Sequence, residues 1–231
     1  MAALSIIVPV LDEAEAIGAT LRALQPARAM GAEVLVVDGG SRDATCALAR
    51  PLADRVLQAP RGRAAQMNAG AAAASGRVLL FLHADTVLPP DAASAVESAL
   101  ADGRHAWGRF DVAIGSPHPL LAVVAMLMNA RSRWTGIATG DQAVFVRRDA
   151  FEAAGGFPSI PLMEDVALSR ALKRLSAPAA LRLRVVTSGR RWERHGILRT
   201  IFLMWRLRAA YALGADPHRL ARRYGVERTS C

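Results

Sequence analysis

The sequence lacks the features that define several large classes of protein. Its two cysteines, Cys46 and Cys231, are too few for a disulfide framework or a cysteine-based zinc site. No apolar run reaches the roughly 18 residues of a membrane span, and the first residues carry no basic leader. We therefore expect a cytoplasmic protein. Apolar residues make up 52% of the chain, which predicts a folded protein with a buried core.

Glycine-rich phosphate loops are also missing. The first apolar run, at residues 4–10, is followed by Leu11, Asp12 and Glu13 instead of the Gly-x-Gly-x-x-Gly turn of dinucleotide-binding folds. Neither a Walker A loop nor the Gly-x-Ser-x-Gly turn of α/β-hydrolases occurs. These absences argue against a nicotinamide-dependent dehydrogenase, a P-loop phosphotransferase and an α/β-hydrolase.

Positive charge is abundant and consists almost entirely of arginine. The formal net charge is +9, with a single lysine at Lys173. A basic surface suits an anionic partner such as a nucleotide, a phospholipid or a nucleic acid. Nucleic-acid binding is disfavoured because aromatic residues are only 5% of the chain and the arginines are spread along it.

Apolar patterning predicts an α/β fold. Continuous apolar runs predict strands at residues 4–10, 33–37, 56–57 and 78–82, and helical spacing predicts helices at residues 12–29 and 63–74. Short connections between these elements imply right-handed crossovers and a mostly parallel central sheet with flanking helices. The second half is mixed, with strands at residues 108–114, 142–146 and 181–186, and helices at residues 120–129, 165–175 and 196–213.

No repeat or low-complexity linker separates the two halves. We expect a single domain over residues 1–231, in which residues 1–103 bind a nucleotide and residues 104–195 bind an acceptor. Residues 196–231 form a C-terminal helical extension.

Three aspartates carry the candidate chemistry. Asp38 and Asp85 directly follow predicted strands, so we expect both at the edge of the sheet where ligands bind. Glycosyl transfer needs a cation to neutralise the leaving diphosphate, a base for the acceptor proton, and groups that hold the nucleotide. Asp85 suits the metal, Asp165 the base, and Asp38 the nucleobase, because a carboxylate accepts from a pyrimidine N–H. Turn formation, loop placement and the helix dipole remain alternative explanations for these acids.

Five segments in chain order resemble the family 2 glycosyltransferases. They are VPVLDEA at residues 8–14, VVDGGSRDAT at 36–45, RGRAAQMNAG at 61–70, LLFLHADT at 79–86, and GGFP with MEDVALSRALKR within 155–174. The resemblance covers roughly residues 4–175. FLHADT together with IPLMEDVALS resembles a bacterial subgroup sometimes linked to arsenosugar or selenium-related metabolism.

The resemblance implies a GT-A fold, a nucleotide-sugar donor (commonly a UDP-sugar), Mg²⁺ or Mn²⁺, and inversion at the anomeric carbon. Asp165 corresponds to the catalytic base, with Glu164 in support, and Asp85 to the last aspartate of the metal-binding Asp-x-Asp motif. The nucleotide-binding residues that it implies are Pro9, Asp12, Glu13, Asp38, Arg61 and His83, with Arg61 or Arg63 near the diphosphate.

The chain departs from the family pattern at two places. His83 stands where the first aspartate of Asp-x-Asp is usual, and Arg190-Arg191-Trp192 replaces the Gln-x-x-Arg-Trp of processive synthases. Processive synthesis is therefore not expected.

Two further site residues have open alternatives. Asp141 is expected to face the acceptor, or it is a strand-start acid. His195 is expected to reach the metal, or it is structural.

The acceptor is a small molecule or a lipid-linked compound. Residues 196–213 form either a core helix or an interfacial helix, which would place the protein at the inner face of the membrane. Two other functions stay open. One is a nucleotidyltransferase on a similar sheet, and the other is a non-catalytic basic module that binds membrane or nucleic acid.

Overall fold

An eight-stranded sheet forms the centre of the protein. The computed structural model describes residues 3–225. Its strands are β1 (Leu4–Val10), β2 (Glu33–Asp38), β3 (Arg55–Gln58), β4 (Val78–Phe81), β5 (Thr86–Val87), β6 (Trp107–Gly115), β7 (Phe145–Arg147) and β8 (Ala179–Ser188). They lie in the order β3-β2-β1-β4-β7-β6-β8-β5.

The sheet combines parallel and antiparallel pairs. β3, β2, β1 and β4 are parallel neighbours, and β8 is parallel to β6. β7 runs antiparallel to both β4 and β6, and β5 runs antiparallel to β8. The predicted parallel sheet thus holds for the first half of the chain, and the α/β class is confirmed.

Helices cover both faces of this sheet. They are α1 (Ala14–Ala23), α2 (Gln25–Ala29), α3 (Thr45–Ala49), α4 (Arg63–Ala73), α5 (Ala92–Leu100), α6 (Pro119–Thr135), α7 (Arg148–Ala153), α8 (Glu164–Leu172), α9 (Arg190–His195), α10 (Ile197–Ala212) and α11 (Pro217–Tyr224). Alternate residues of β1 point to opposite faces, so Ile6 packs in one apolar cluster with Ile17 of α1, while Ile7 packs in another with Met67 of α4. Burial on both faces explains why β1 and β2 are continuous apolar runs.

Two predicted elements differ in the structure. The helix expected at residues 12–29 begins at Ala14, because Asp12 has a φ of 53°, and it divides where Pro26 opens α2. The strand expected at residues 142–146 starts only at Phe145, because Gly140–Gln142 forms a 3₁₀ turn with a buried Gln142.

The C-terminal helices pack against the start of α8. Leu207 of α10 and Leu220 of α11 share a small apolar cluster with Leu162, Met163 and Val166. The extension therefore touches the residues that flank Glu164 and Asp165. Within residues 3–225, no helix combines the length and apolar character needed to cross a membrane.

Candidate active site

Four strands bring the candidate residues to one edge of the sheet. The parallel strands β1, β2 and β4 end there, with Val10 paired to Asp38. β7 is antiparallel to β4, so the Gly140–Gln142 turn that precedes it lies at the same edge. We call this the carboxyl edge, and it is where ligands bind in open α/β sheets.

The loops after β1 and β2 are joined by hydrogen bonds. The Asp12 N–H donates to Ser41 Oγ (2.9 Å), and the Arg42 N–H donates to Asp12 Oδ1 (2.8 Å). The Glu13 N–H donates to Thr45 Oγ1 (2.8 Å). These bonds fix Asp12 and Glu13 at the carboxyl edge without help from a ligand.

Asp38 lies beneath these loops and is only 1% exposed. Its Oδ1 accepts hydrogen bonds from Ser41 N–H (2.9 Å) and Ser41 Oγ (2.5 Å). Burial alone would raise the pKa of Asp38, but the hydrogen bonds from Ser41 and Cys46 outweigh it and lower that pKa. Pro9 is likewise buried, paired with Val37 inside β1.

Glu13 and Asp85 lie around one arginine. Arg190, the first residue of α9, has its Nη2 3.4 Å from Glu13 Oε2 and 3.9 Å from Asp85 Oδ2, and its Nη1 is 3.0 Å from Glu15 Oε2. Burial and the negative charge of Asp85 raise the pKa of Glu13, although Arg190 opposes this shift. Two mutually repelling carboxylates thus share one positive partner.

This pair fits a divalent cation that a substrate helps to bind. Among residues 3–225, no group of three or more His, Cys, Asp or Glu side chains is arranged to hold a metal. Mg²⁺-type sites commonly use one or two carboxylates and complete their coordination with phosphate oxygens. Asp85, whose side chain is 30% exposed, and Glu13 supply such oxygens. His195 is exposed at the end of α9.

A second set of contacts connects His83 to Asp165. The His83 Nδ1 lies 3.3 Å from Asp141 Oδ1, and the Gly140 N–H donates to Asp165 Oδ2 (2.9 Å). Asp165 Oδ1 also accepts from the Val166 N–H (2.7 Å). A Cβ on Gly140 would lie 2.4 Å from His83 Nε2, so this close approach requires glycine. Two backbone donors therefore orient the Asp165 carboxylate.

Glu164 is buried next to Asp165. It is 6% exposed, and desolvation together with the negative charge of Asp165 raises its pKa to about 7. The charges of Arg63 and His83 oppose this shift. Glu164 therefore changes its charge near neutral pH, unlike an ordinary glutamate.

Arg63 connects the two sets of acids. Its side chain reaches solvent but is surrounded by protein, and desolvation works against its charge. The carboxylates of Glu164, Asp141 and Asp165 nevertheless raise its pKa, and Arg63 in turn lowers that of Glu13. Glu13 and Asp165 thus both lie within electrostatic range of Arg63. Asp38 lies apart from this group, buried in its own turn, and Arg61 is exposed before α4.

Sequence reasoning assigned no role to three residues that the structure places here. Arg190 belongs to a motif noted only for its departure from processive synthases, and Gly140 precedes the predicted Asp141. Tyr224 of α11 lies near Arg63, Asp141 and Asp165, and burial raises its pKa. Its ring stacks on Arg191, 3.8 Å from the guanidinium carbon. No sequence signal points to Tyr224, because only the fold brings α11 to this site.

Solved structures of glycosyltransferases share this architecture. TarS of S. aureus, solved with UDP-GlcNAc, superposes with a TM-score of 0.65 at 18% identity, covering 81% of this chain and 58% of TarS. The mannosyltransferase PcManGT of Pyrobaculum calidifontis, solved with GDP-Man and Mn²⁺, gives 0.64 at 22% identity, with 90% and 61% covered.

Glucosyl-3-phosphoglycerate synthase of Mycobacterium tuberculosis gives a similar result. Its complex with Mn²⁺, UDP and glucosyl-3-phosphoglycerate has a TM-score of 0.60 at 20% identity, covering 79% of this chain and 70% of the synthase. These similarities confirm the GT-A type of fold. The chain spans about three fifths of the length of TarS and PcManGT.

Comparison of the sequence with known protein families identifies the family of this chain. No curated protein matches the chain significantly. Residues 5–152 match the glycosyl transferase family 2, which is more than half of the 231 residues. The chain therefore belongs to glycosyl transferase family 2.

Proposed function

We propose that this protein transfers a sugar from a nucleotide-diphosphate donor to a hydroxyl acceptor, with Asp165 as the base and inversion at the anomeric carbon. The observation that carries this proposal is the position of Asp165 in a family 2 chain. Two backbone N–H groups orient its carboxylate, and it shares Arg63 with Glu13 on the donor side.

The chemistry is a single in-line displacement. Asp165 accepts the acceptor hydroxyl proton as that oxygen attacks the anomeric carbon, and the bond to the diphosphate breaks. Each carboxylate oxygen of Asp165 has one backbone donor and retains a lone pair for the acceptor hydroxyl. One base is sufficient for inversion, because no covalent intermediate forms.

Other side chains bind the cation, the leaving diphosphate and the nucleoside in this proposal. Asp85 would hold a divalent cation, Mg²⁺ or Mn²⁺, with Glu13 beside it, and the cation would supply charge neutralisation at the leaving diphosphate. His195 remains a second proposed ligand. Arg61 and Arg63 stabilise the departing diphosphate, and Asp12, Asp38, His83 and Pro9 line the nucleoside site.

The two halves have separate roles in this proposal. Residues 1–103 bind the donor and residues 104–195 bind the acceptor, with Asp141 facing the acceptor and Glu164 supporting Asp165. Neighbours solved with UDP-GlcNAc and with GDP-Man support a nucleotide-sugar donor, of which a UDP-sugar is our first choice. We also propose membership in the arsenosugar- and selenium-linked subgroup, which rests on the motifs at residues 81–86 and 160–169.

Calorimetric titration with UDP, with and without Mn²⁺, tests this function. We expect binding that tightens with Mn²⁺, and slow hydrolysis of one nucleotide sugar in a screen that needs no acceptor. Preference for a nucleoside triphosphate would favour a nucleotidyltransferase instead. Absence of nucleotide binding altogether would favour a non-catalytic module.

An exposed apolar surface supports contact with a membrane. On α10, Leu198, Phe202 and Trp205 are 62–65% exposed at helical spacing, and Trp134 at the end of α6 is 92% exposed. Exposed Arg199 and Arg206 accompany them on α10. Aromatic residues beside arginines suit the interface of an anionic bilayer, where an amphiphilic acceptor would lie.

Vesicle sedimentation tests this contact. Phosphatidylglycerol vesicles should retain the protein, and Phe202→Ser with Trp205→Ser should weaken retention about tenfold. Leu48→Ser is the control, because Leu48 is an exposed leucine on α3, away from α10. Equal retention of all variants would contradict the proposed contact with a membrane.

A further inference from the structure

Two arginines beside Asp165 lack the partners that buried cations normally have. Arg131 lies on α6 and Arg208 on α10. The Nε and Nη2 of Arg131 and the Nε of Arg208 are buried without a hydrogen-bond partner among residues 3–225. Buried charges in proteins are normally paired and hydrogen-bonded, because leaving them bare is costly.

The two guanidinium groups also repel each other. Burial, together with the positive charge of Arg208, lowers the pKa of Arg131 to about 10, while the charge of Asp165 opposes this shift. Arg131 nevertheless remains cationic at neutral pH. Arg109, the other cation near Arg131, also has a buried Nε without a partner, but its Nη1 donates to the Asp111 carboxylate. Arg131 and Arg208 therefore form a pair of neighbouring cations, and three of their buried nitrogen atoms have no hydrogen-bond partner in the described part of the chain.

The fold holds this pair on the acceptor side of the carboxyl edge. Leu207, the residue before Arg208, packs in the cluster that contains Met163 and Val166, on either side of Glu164 and Asp165. Asp165 and Asp141 lie within electrostatic range of these arginines. The donor-side groups Glu13 and Asp85 instead have Arg190 as their partner.

We propose that Arg131 and Arg208 bind a phosphate group on the acceptor, so that the acceptor is a phosphorylated hydroxyl compound. Guanidinium groups present planar sets of N–H donors that match phosphate oxygens. Both side chains are partly exposed, so a phosphate can bind their accessible N–H groups, offset the positive charge of the pair and place the neighbouring hydroxyl near Asp165. This inference rests on the proposed function, since it assigns Asp165 as the base.

Inorganic phosphate, titrated into the protein saturated with UDP and Mg²⁺, is the first probe. Saturation fills the donor diphosphate site, so phosphate that still binds occupies another site. We expect binding to persist, and to weaken at least tenfold in Arg131→Gln and in Arg208→Gln. Arg182→Gln is the control, an exposed arginine on β8 with no role in the site, and should bind as the wild type does. Arg131→Lys should recover part of the binding.

Several outcomes would overturn the inference. If UDP abolishes phosphate binding, or if both glutamine variants lose UDP affinity equally, the arginines belong to the donor site. If the glutamine variants bind phosphate normally, the arginines bind no phosphate. Wild-type protein that binds no UDP contradicts the proposed function itself, and this result is separate from the other two.

Thermal unfolding separates ligand binding from a purely structural role. The two arginines repel each other and have buried nitrogen atoms without partners. Replacing either one with glutamine should therefore leave the unfolding temperature unchanged or raise it. A fall in both variants, with phosphate binding unchanged, would show that they serve the fold.

Two more probes distinguish the source of the phosphate. Glycerol 3-phosphate represents a soluble acceptor, and phosphatidic acid in phosphatidylcholine vesicles represents a lipid one. Binding of either that requires Arg131 and Arg208 supports the inference, and the probe that binds identifies the source. If both probes bind the two glutamine variants as tightly as they bind the wild type, the inference is contradicted.

Discussion

The donor and acceptor sides of the carboxyl edge differ in how their charges are satisfied. On the donor side, Asp12 and Asp38 accept hydrogen bonds from the loop that contains Ser41, and burial of Asp38 is outweighed by those bonds. On the acceptor side, Glu164 is buried with a raised pKa, and Arg131 and Arg208 have buried nitrogen atoms without partners in the described chain.

This difference separates what the fold completes from what a ligand must complete. Hydrogen bonds made within the loops prearrange the donor side before a nucleotide arrives. Buried charges on the acceptor side cost stability until an appropriate group neutralises them. The comparison predicts that variants on the acceptor side change activity without lowering stability, whereas variants in the donor loops lower stability.

Replacing the base should have the largest effect. Asp165→Asn should lower sugar transfer by about 10²–10⁴-fold, since the amide cannot accept the proton. Donor affinity, measured by titration with UDP and Mn²⁺, should stay within about twofold of wild type. Asp149→Asn, on an exposed side chain of α7, is the control. Normal turnover of Asp165→Asn would show that another group is the base.

Replacing the proposed metal ligand should have the second-largest effect. Asp85→Asn should weaken Mn²⁺-dependent binding of UDP by at least about tenfold, or roughly 1.4 kcal/mol, because one of the two carboxylates proposed to lie at the cation is lost. Binding measured without Mn²⁺ should change little. Asp102→Asn, an exposed residue paired with Arg104, serves as the control. An unchanged response to Mn²⁺ would remove Asp85 from the metal site.

A donor-loop variant tests whether that side is held together by its own hydrogen bonds. Ser41→Ala removes a hydroxyl that donates to the buried Asp38 carboxylate and should destabilise the protein by about 1.5–3 kcal/mol. Asp38 has a lowered pKa in the folded state, so its contribution is present above the unfolded pKa and lost as pH falls through the folded one. Denaturant unfolding at pH 7 and at pH 3 should therefore show a smaller difference between variant and wild type at pH 3.

Ser94→Ala is the matched control for this experiment. Ser94 Oγ donates to the backbone carbonyl of Asp91, which is a neutral acceptor. Its effect should be smaller and should not depend on pH. Equal effects of the two serine variants would contradict the prearranged donor side.

Glu164→Gln should have the smallest effect, and that effect depends on pH. The folded-state pKa of about 7 lies above the ordinary value of 4.5, so wild-type stability is fully present below about pH 4.5 and decreases as pH rises through 7. The slope reaches at most roughly 1.4 kcal/mol for each pH unit. Glutamine carries no charge, so the variant should gain stability relative to wild type as pH rises from 5 through 7, with little further change above pH 8. A stability difference that does not change with pH would contradict the raised pKa.

Much of the donor side could be predicted from the sequence, because local patterns determine it. The continuous apolar runs at β1 and β2 indicate strands buried on both faces, and a residue directly after a parallel strand must lie at its carboxyl end. Asp38 and Asp85 were therefore placed at the correct edge. That argument does not show how deeply a side chain is buried, and Asp38 is almost inaccessible.

The acceptor side, and the position of Arg190 on the donor side, depend on contacts between distant parts of the chain. Arg190 meets Glu13 across 177 residues, and Asp141 reaches the edge only because β7 runs antiparallel to β4. Within the sequences of their own helices, Arg131 and Arg208 look like ordinary surface residues. Only the packing of α6 and α10 in the fold brings their guanidinium groups close together. Sequence alone thus determined the family, the fold class and the strand-end acids, since these follow from local periodicity and motifs. Tertiary structure decided which charges share a site, because charge interactions depend on distance in space and on burial.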